Sequence, residues 1–267
     1  MNRENFHTHT VFCDGKNTAA EMAEAAAEKE FSALGFSGHS YLDFDCGWCM
    51  SKEGTEKYNA EINRLKAEYY GRLNIYRGLE YDIFSPGIEP GDYDFTIGSV
   101  HYIEKEGEYL PVDDSFDKQL EGADKYFSSS VYGYCRAYYD TVGQVLEKTG
   151  ADIIGHFDLV TKFNEGDCRF STKDPQYISA CVDALDRLLP YGKPFEINTG
   201  AIARGKRATP YPSIDIADYI HSKGGYFILT SDCHNAPDLD CFFDEALKMY
   251  SKYEIVSFEE ILREKLK

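Results

Sequence analysis

The feature that most constrains the fold of this chain is an alternation of short β-like runs with longer helical stretches. We place seven β-like runs at residues 5–7, 33–37, 73–79, 95–100, 152–155, 194–197 and 226–230. Helical stretches separate them, beginning at Thr18 and covering 53–70, 124–148, 175–189 and 214–223, with two terminal pieces from 240 and 258. Strands that alternate with helices form parallel βα units. The order of the elements therefore predicts an α/β fold on a parallel sheet.

Each β-like run ends in a histidine, a carboxylate or another polar group. In chain order these groups are His7 and His9, His39, Glu80 with Asp82, His101, His156 with Asp158, Glu196 with Asn198, and Asp232 with His234. In a parallel barrel the carboxyl ends of all strands share one face, so groups that are distant in sequence meet there. The layout predicts one shared site.

The residue types in these positions indicate a metal centre. The imidazoles of His7 and His9 lie two residues apart, so an extended strand directs both to the same side. Neutral imidazole is a common ligand of zinc, iron and manganese, and carboxylates complete such sites and bridge two ions. The candidate carboxylates are Asp14, Glu80 and Asp232. The seventh histidine, His221, falls within a predicted helix, and we expect it to be structural.

Length and charge limit the number of domains and the kinds of partner that this protein can have. At 267 residues, with 43% hydrophobic residues, we expect a single globular domain over 1–267. The formal charge of -18 repels nucleic-acid backbones and anionic membrane surfaces, so we expect neither as a partner. An anionic substrate feels the same repulsion and needs strong local positive charge, which bound metal ions can supply.

Cysteine usage and hydropathy predict a cytoplasmic protein. No apolar run approaches the roughly 20 residues of a membrane span, and the first residues carry no signal region. The eight cysteines are scattered, which is typical of reduced thiols. Cys46 and Cys49 form a lone CxxC. Without a second CxxC or a thioredoxin-like context, it does not by itself indicate a zinc or redox site.

Six short motifs span almost the whole chain and resemble those of the polymerase and histidinol phosphatase (PHP) superfamily. They are His7-Thr8-His9-Thr10, Gly38-His39-Ser40, Gly78-Leu79-Glu80-Tyr81-Asp82, Gly98-Ser99-Val100-His101, Gly155-His156-Phe157-Asp158 and Ser231-Asp232-Cys233-His234. The stretches at 196–200 and 209–213 are similar to those of its monofunctional histidinol-phosphatase branch. The resemblance implies a distorted seven-stranded (β/α)7 barrel.

The resemblance also implies three divalent ions, which could be zinc, manganese or iron. The first ion would take His7, His9, Glu80 and Asp232. Glu80 would bridge to a second ion held by His101 and His156. The third ion would take Asp14, His39 and His234.

The implied activity is hydrolysis of L-histidinol phosphate to L-histidinol and phosphate, with a metal-bound hydroxide as the nucleophile. Arg204 and Lys162 match phosphate-contacting positions, with Arg207 in reserve. The residues after His39, which are Tyr41, Asp43, Phe44 and Asp45, either contact the substrate's ammonium and imidazole or form a surface loop. Two alternatives stay open: a phosphatase or phosphodiesterase for another small phosphate, nucleotide or phosphotyrosine, and a non-catalytic metal-binding module.

Overall fold

Nine β-strands form two sheets in the computed structural model, which describes residues 3–45 and 47–266. In chain order the strands are β1 (Glu4–Asn5), β2 (Ala33–Phe36), β3 (Asn74–Asp82), β4 (Phe95–Ser99), β5 (Tyr102–Lys105), β6 (Glu108–Pro111), β7 (Ile153–Ile154), β8 (Phe195–Asn198) and β9 (Phe227–Thr230). The larger sheet has the order β1-β2-β3-β4-β7-β8-β9, and every neighbouring pair in it is parallel.

The sheet closes on itself just beyond β1 and β9. Thr8 and Cys233 form a parallel bridge, in which the His9 amide donates to the Cys233 carbonyl at 2.8 Å and the Cys233 amide donates to the His7 carbonyl at 3.1 Å. Each of the seven predicted runs overlaps one of the seven parallel strands. The predicted seven-stranded α/β barrel is thus confirmed.

The smaller sheet is an antiparallel hairpin of β5 and β6, which the sequence analysis missed. Its turn places Glu106 and Gly107 at φ values of 54° and 82°, a conformation that glycine adopts without strain. The hairpin follows directly after His101 and stands at the carboxyl end of the barrel. It therefore forms a wall beside the predicted site.

The described residues also form ten α-helices. They are α1 (Ala19–Glu28), α2 (Lys52–Glu68), α3 (Phe116–Tyr126), α4 (Val131–Val142), α5 (Val145–Thr149), α6 (Pro175–Leu188), α7 (Gly200–Ala203), α8 (Ile214–Ser222), α9 (Phe243–Met249) and α10 (Phe258–Lys265). The prediction of one helix over 124–148 is wrong, because Ser128 and Ser129 have positive φ and Ser130 caps a new helix. Gly143 then ends α4.

The predicted start of a helix at Thr18 is confirmed, and a capping box marks it. The Thr18 hydroxyl accepts the Glu21 amide at 3.2 Å, and the Glu21 carboxylate accepts the Thr18 amide at 2.7 Å. The helix that follows, α1, buries Met22, Ala23 and Ala26 in one apolar cluster with β2. Local sequence thus fixes where this helix begins and which face it buries.

The amino end of the barrel is filled by aromatic side chains. Phe6 meets Phe95 edge-on at 5.2 Å between ring centroids, and Phe258 of α10 packs on Phe6 at 4.9 Å. A Cβ at Gly78 would lie 2.3 Å from the Phe95 ring, so only glycine leaves room for it. This apolar plug fills the end of the barrel opposite the predicted site.

None of the helices in the described part of the chain is long and apolar enough to cross a membrane. The single domain over 1–267 stays a prediction.

Candidate metal centre

The nine predicted metal ligands meet at the carboxyl end of the barrel. Seven of them follow a strand of the large sheet, Glu80 lies near the end of β3, and Asp14 lies in the loop between β1 and α1. Seven are buried, whereas Asp14 and His234 are partly open to solvent. The convergence predicted from strand ends is therefore what the fold produces.

His7, His9 and Asp232 form the first group of donor atoms, all of which lie within 4.8 Å of one another. Asp232 Oδ1 is 3.1 Å from His9 Nε2 and 3.7 Å from His7 Nε2. Glu80 Oε2 lies 3.3 Å from His7 Nε2 and 3.5 Å from His9 Nε2. Two imidazole nitrogens and two carboxylate oxygens thus face one point.

A second group surrounds the other oxygen of the same carboxylate. Glu80 Oε1 is 2.9 Å from His156 Nε2 and 3.3 Å from His101 Nε2. Its Oε2 atom is also 2.7 Å from His39 Nδ1. Glu80 thus lies between the groups, with each oxygen facing different imidazoles.

The third group is the most open of the three. Asp14 Oδ2 is 3.1 Å from His234 Nε2, and Asp14 Oδ1 is 3.5 Å from His39 Nε2. His9 belongs to this cluster as well, with its ring 4.1 Å from that of His234. The Asp14 side chain is 36% exposed, so this group faces the solvent side of the centre.

Orphaned polar atoms show that this donor set suits bound cations. The buried side-chain atoms without a hydrogen-bond partner among residues 3–45 and 47–266 include His7 Nε2, His9 Nε2, Glu80 Oε2 and His156 Nδ1. An unsatisfied buried polar atom costs about 1–3 kcal/mol. Three of these four atoms belong to the first donor group, where a cation would satisfy them together.

Opposite charges shift the pKa values of the central residues. Burial by itself raises the pKa of Glu80, but the charges of His39 and His7 outweigh it and hold this pKa well below its ordinary range. Burial likewise raises the pKa of Asp232, and Arg204 and His7 more than reverse it. Both carboxylates are therefore ionised at neutral pH.

The histidines divide into two kinds. Burial lowers the pKa of His7, yet the negative charges of Glu196 and Glu80 outweigh it and raise this pKa well above 6.5. The pKa of His101 is raised in the same way, against burial, by Glu80. Burial and neighbouring histidine charge lower the pKa of His9 to about 3. His9 is thus neutral in the metal-free protein, whereas His7 and His101 are protonated.

Two further carboxylates, Glu196 and Asp82, hold the rings from behind. Glu196 Oε2 lies 2.8 Å from His7 Nδ1, and Asp82 Oδ2 lies 2.9 Å from His101 Nδ1. The sequence analysis noted both as polar groups at strand ends but gave neither a role. Their position behind the His7 and His101 rings becomes visible only when the strands are side by side.

Arg204 and Lys162, the predicted phosphate contacts, both line a cavity of about 630 Å³ that opens onto the centre. Arg204 donates through Nη2 to Asp232 Oδ2 at 2.9 Å. Lys162 donates through Nζ to the carboxylate and the backbone carbonyl of Asp113, both at 2.9 Å. The reserve candidate Arg207 instead stacks over the Tyr211 ring. Its Nε atom donates to the Thr209 carbonyl at 3.2 Å.

An aromatic and acidic wall completes the cavity, and most of it was missed from sequence. Trp48 Nε1 donates to the Tyr102 hydroxyl at 3.1 Å, which donates to Asp45 Oδ2 at 2.6 Å. Phe44 stacks on Tyr109 of β6 at 3.6 Å. The signal available in the sequence was the single tryptophan shortly after the His39 motif.

Two other sequence features lie away from the donor groups or beyond the described residues. His221 packs against the Tyr253 ring at 5.6 Å, as expected of a structural histidine. Cys49 is buried, and its CxxC partner Cys46 lies outside the described residues.

The fold and the donor groups define a parallel α/β-barrel protein with a candidate multinuclear metal centre. The sequence profile of the PHP domain matches residues 5–200, and the chain belongs to the PHP domain family. The matched segment contains seven of the nine predicted ligands; Asp232 and His234 follow it.

Relatives of known name are similar over nearly their whole length. The chain is 33% identical to a Deinococcus radiodurans protein named "Probable histidinol-phosphatase", with 91% of this chain and 90% of the relative covered. It is 28% identical to the histidinol-phosphatase of Bacillus subtilis, with 93% and 99% covered. The crystal structure of histidinol phosphate phosphatase from Lactococcus lactis, complexed with Zn, L-histidinol and phosphate, shares the fold. Its TM-score is 0.71 at 20% identity, with 96% and 95% covered.

Proposed function

We propose that this protein is a histidinol-phosphatase, which hydrolyses L-histidinol phosphate to L-histidinol and phosphate. The observation that carries the proposal is the placement of three donor groups, Arg204 and Lys162 around one cavity. Two relatives that match the chain over about nine-tenths of its length bear the histidinol-phosphatase name. A cytoplasmic location suits such a biosynthetic role and the scattered cysteines.

The proposed ligand set follows the three donor groups. His7, His9, Glu80 and Asp232 would hold one divalent ion; Glu80, His101 and His156 a second; Asp14, His39 and His234 a third. The mixed imidazole and carboxylate donors suit zinc, manganese or iron. When bound, such ions lower the pKa of a coordinated water toward ~7 and neutralise phosphate charge. Three divalent ions and three carboxylates leave a net charge of about +3, which favours a phosphate dianion in an otherwise acidic protein.

Two basic residues would bind the phosphoryl group. Arg204 is held on the metal side of the cavity by Asp232, so its fork can reach an oxygen of a phosphate beside the centre. Lys162 approaches from the loop after β7, and its bond to Asp113 fixes the ammonium in place. Charge-assisted hydrogen bonds of this kind strengthen as negative charge builds up on the phosphoryl oxygens.

The far wall of the cavity would bind the alcohol portion of the substrate. L-histidinol carries an ammonium and an imidazole, which suit carboxylates and aromatic faces respectively. Asp45, Asp113 and Asp114 offer negative charge there, and Trp48 and Tyr102 offer ring faces. Phe44 and Asp45 both line the cavity, which supports the interpretation that this loop contacts the substrate.

The test is phosphate release from L-histidinol phosphate beside p-nitrophenyl phosphate and a nucleotide monophosphate, with added zinc or manganese. We expect a strong preference for L-histidinol phosphate that Glu80→Ala abolishes. Asp152→Asn is the matched control, since Asp152 is a buried carboxylate at the amino end of β7 that pairs with Lys265 at 2.8 Å. Turnover of the other two substrates alone would assign a different phosphatase of the family. Metal binding without any turnover would favour the non-catalytic module.

A further inference from the structure

Glu196 is a buried carboxylate on β8 with a full set of hydrogen-bond donors. Its Oε2 atom lies 2.8 Å from His7 Nδ1 and accepts the Thr230 hydroxyl at 2.8 Å. Its Oε1 atom accepts the backbone amide of His156 and the Asn198 side-chain amide, the latter at 2.9 Å. The side chain is 1% exposed. It contacts the metal centre only through its partners.

The two groups at Oε1 can act only as hydrogen-bond donors. The His156 donor is a backbone N–H, which never accepts. The Asn198 amide is fixed because its Oδ1 accepts the Gly200 amide at 2.9 Å, so Nδ2 must face Glu196. Oε1 therefore has to be an acceptor, and a hydrogen on it would have no place.

The two partners at Oε2, His7 and Thr230, can each act as donor or acceptor, and His7 is a proposed metal ligand. When the His7 ring is neutral, as ligation of a metal requires, an accepting Oε2 holds the single ring hydrogen at Nδ1. The opposite nitrogen, Nε2, then directs its lone pair to the donor group beside Glu80 and Asp232, at 3.3 Å and 3.7 Å. A metal ion binds only this form of the ring, with a free lone pair at Nε2.

We propose that Glu196 is a positioning residue that fixes the His7 ring in the Nδ1–H tautomer and thereby makes Nε2 a metal ligand. This inference rests on the proposed function, because it requires an ion at the first donor group. Glu196 itself takes no part in ligation. Carboxylates behind metal-binding histidines generally set ring orientation and basicity.

The arrangement makes Glu196→Gln a specific probe of the tautomer. A glutamine has one acceptor and one amino group, and the fixed donors of His156 and Asn198 force its oxygen to their side. The amino group must then face His7 and Thr230. The Thr230 hydroxyl can rotate to accept, and His7 can accept only by moving its hydrogen from Nδ1 to Nε2. That shift places a hydrogen on the metal-binding nitrogen, so Nε2 has no free lone pair, although the His7 side chain is still present.

Asp82 holds His101 in a similar way but offers no such clean substitution. Its Oδ2 faces both the ring and the backbone amide of His101, and its Oδ1 accepts the Phe84 amide at 2.9 Å. An amino group in Asp82→Asn would meet a fixed donor on either side. Loss of binding there would mix strain with tautomer effects, so Glu196 is the better test.

The experiment compares zinc affinity by chelator competition in the wild type, Glu196→Gln and Asp152→Asn. The histidine tautomers of the same metal-free proteins are compared by ¹⁵N NMR at a pH high enough for the His7 ring to be neutral. Asp152 accepts a backbone amide and two lysines but touches no histidine, so it controls for the loss of a buried carboxylate. We expect Glu196→Gln to fold, to bind zinc about 10–100-fold more weakly and to protonate His7 at Nε2. Asp152→Asn should match the wild type.

Wild-type affinity together with an Nδ1–H tautomer in Glu196→Gln would overturn the inference and leave the proposed function intact. An equal loss of affinity in Asp152→Asn would also overturn it, because the effect would then be structural. A wild-type chain that binds no zinc would refute the proposed function first and the inference with it.

Discussion

Metal binding should displace protons from two identifiable histidines, and the number of protons follows from the structure. A histidine must be neutral to ligate a metal. The pKa values of His7 and His101 lie well above 6.5 in the metal-free protein, so at pH 7 each ring must lose a proton when an ion binds. His9, with a pKa of about 3, is already neutral and should release none.

The magnitude is about two protons from these two rings on filling the first two metal positions. Each released proton makes the apparent affinity rise tenfold per pH unit, so two make it rise about 100-fold, or ~2.7 kcal/mol of binding free energy. The dependence should continue upward in pH until the metal-free pKa values are reached. The proton on His7 Nε2 competes with the ion for the lone pair of that nitrogen.

Titration calorimetry in buffers of different ionisation enthalpy measures the released protons directly. His101→Asn should lower the count at pH 7 by one. His9→Asn should weaken binding yet leave the count unchanged, which makes it the matched control. The reasoning would be refuted if His9→Asn lowered the count and His101→Asn did not.

Three further outcomes are expected. In the metal-free protein the raised pKa of His7 adds stability below pH 6.5 that is lost at higher pH, whereas the lowered pKa of His9 removes stability as the pH falls from 6.5 toward 3. The free energy of unfolding should thus peak near pH 6.5. A melting temperature that rises steadily from acid to alkaline pH would contradict this. Gly200→Ala should weaken metal binding by about tenfold or more, because its Cβ would lie 2.8 Å from Asp232 Cβ. Chelator competition measures this loss, and the control is a glycine-to-alanine change at a position where the added Cβ has no neighbour within 4 Å. Lys162→Ala should raise KM for the phosphate substrate by about 10–100-fold while Lys162→Arg retains binding, and an unchanged KM in steady-state kinetics would exclude the phosphate contact.

The alternation of elements and the residues at strand ends were readable without a structure. The seven strands were predictable because β-like and helical segments alternate along the chain, and the order of such elements restricts topology to parallel units. The donor groups were predictable because all parallel strands end on one face. Errors occurred where local signals were weak, as at Ser128 and Ser129, which divide a predicted single helix.

The partners of the predicted residues were beyond sequence reasoning. Lys162 pairs with Asp113, which lies 49 positions away, and Glu196 meets His7 across 189 positions. Such pairs depend on how neighbouring strands are aligned and on which atom of each side chain points inward. No local pattern encodes either quantity.

The sequence by itself determined the class of fold, the end of the barrel that carries the site and the chemical types of its donors, because strand order and residue identity are local properties. Tertiary structure alone decided that Glu196 faces His7 Nδ1 and that an aromatic wall with Trp48 lines the cavity. These features depend on distances of a few ångströms between distant segments, which packing of the whole barrel sets.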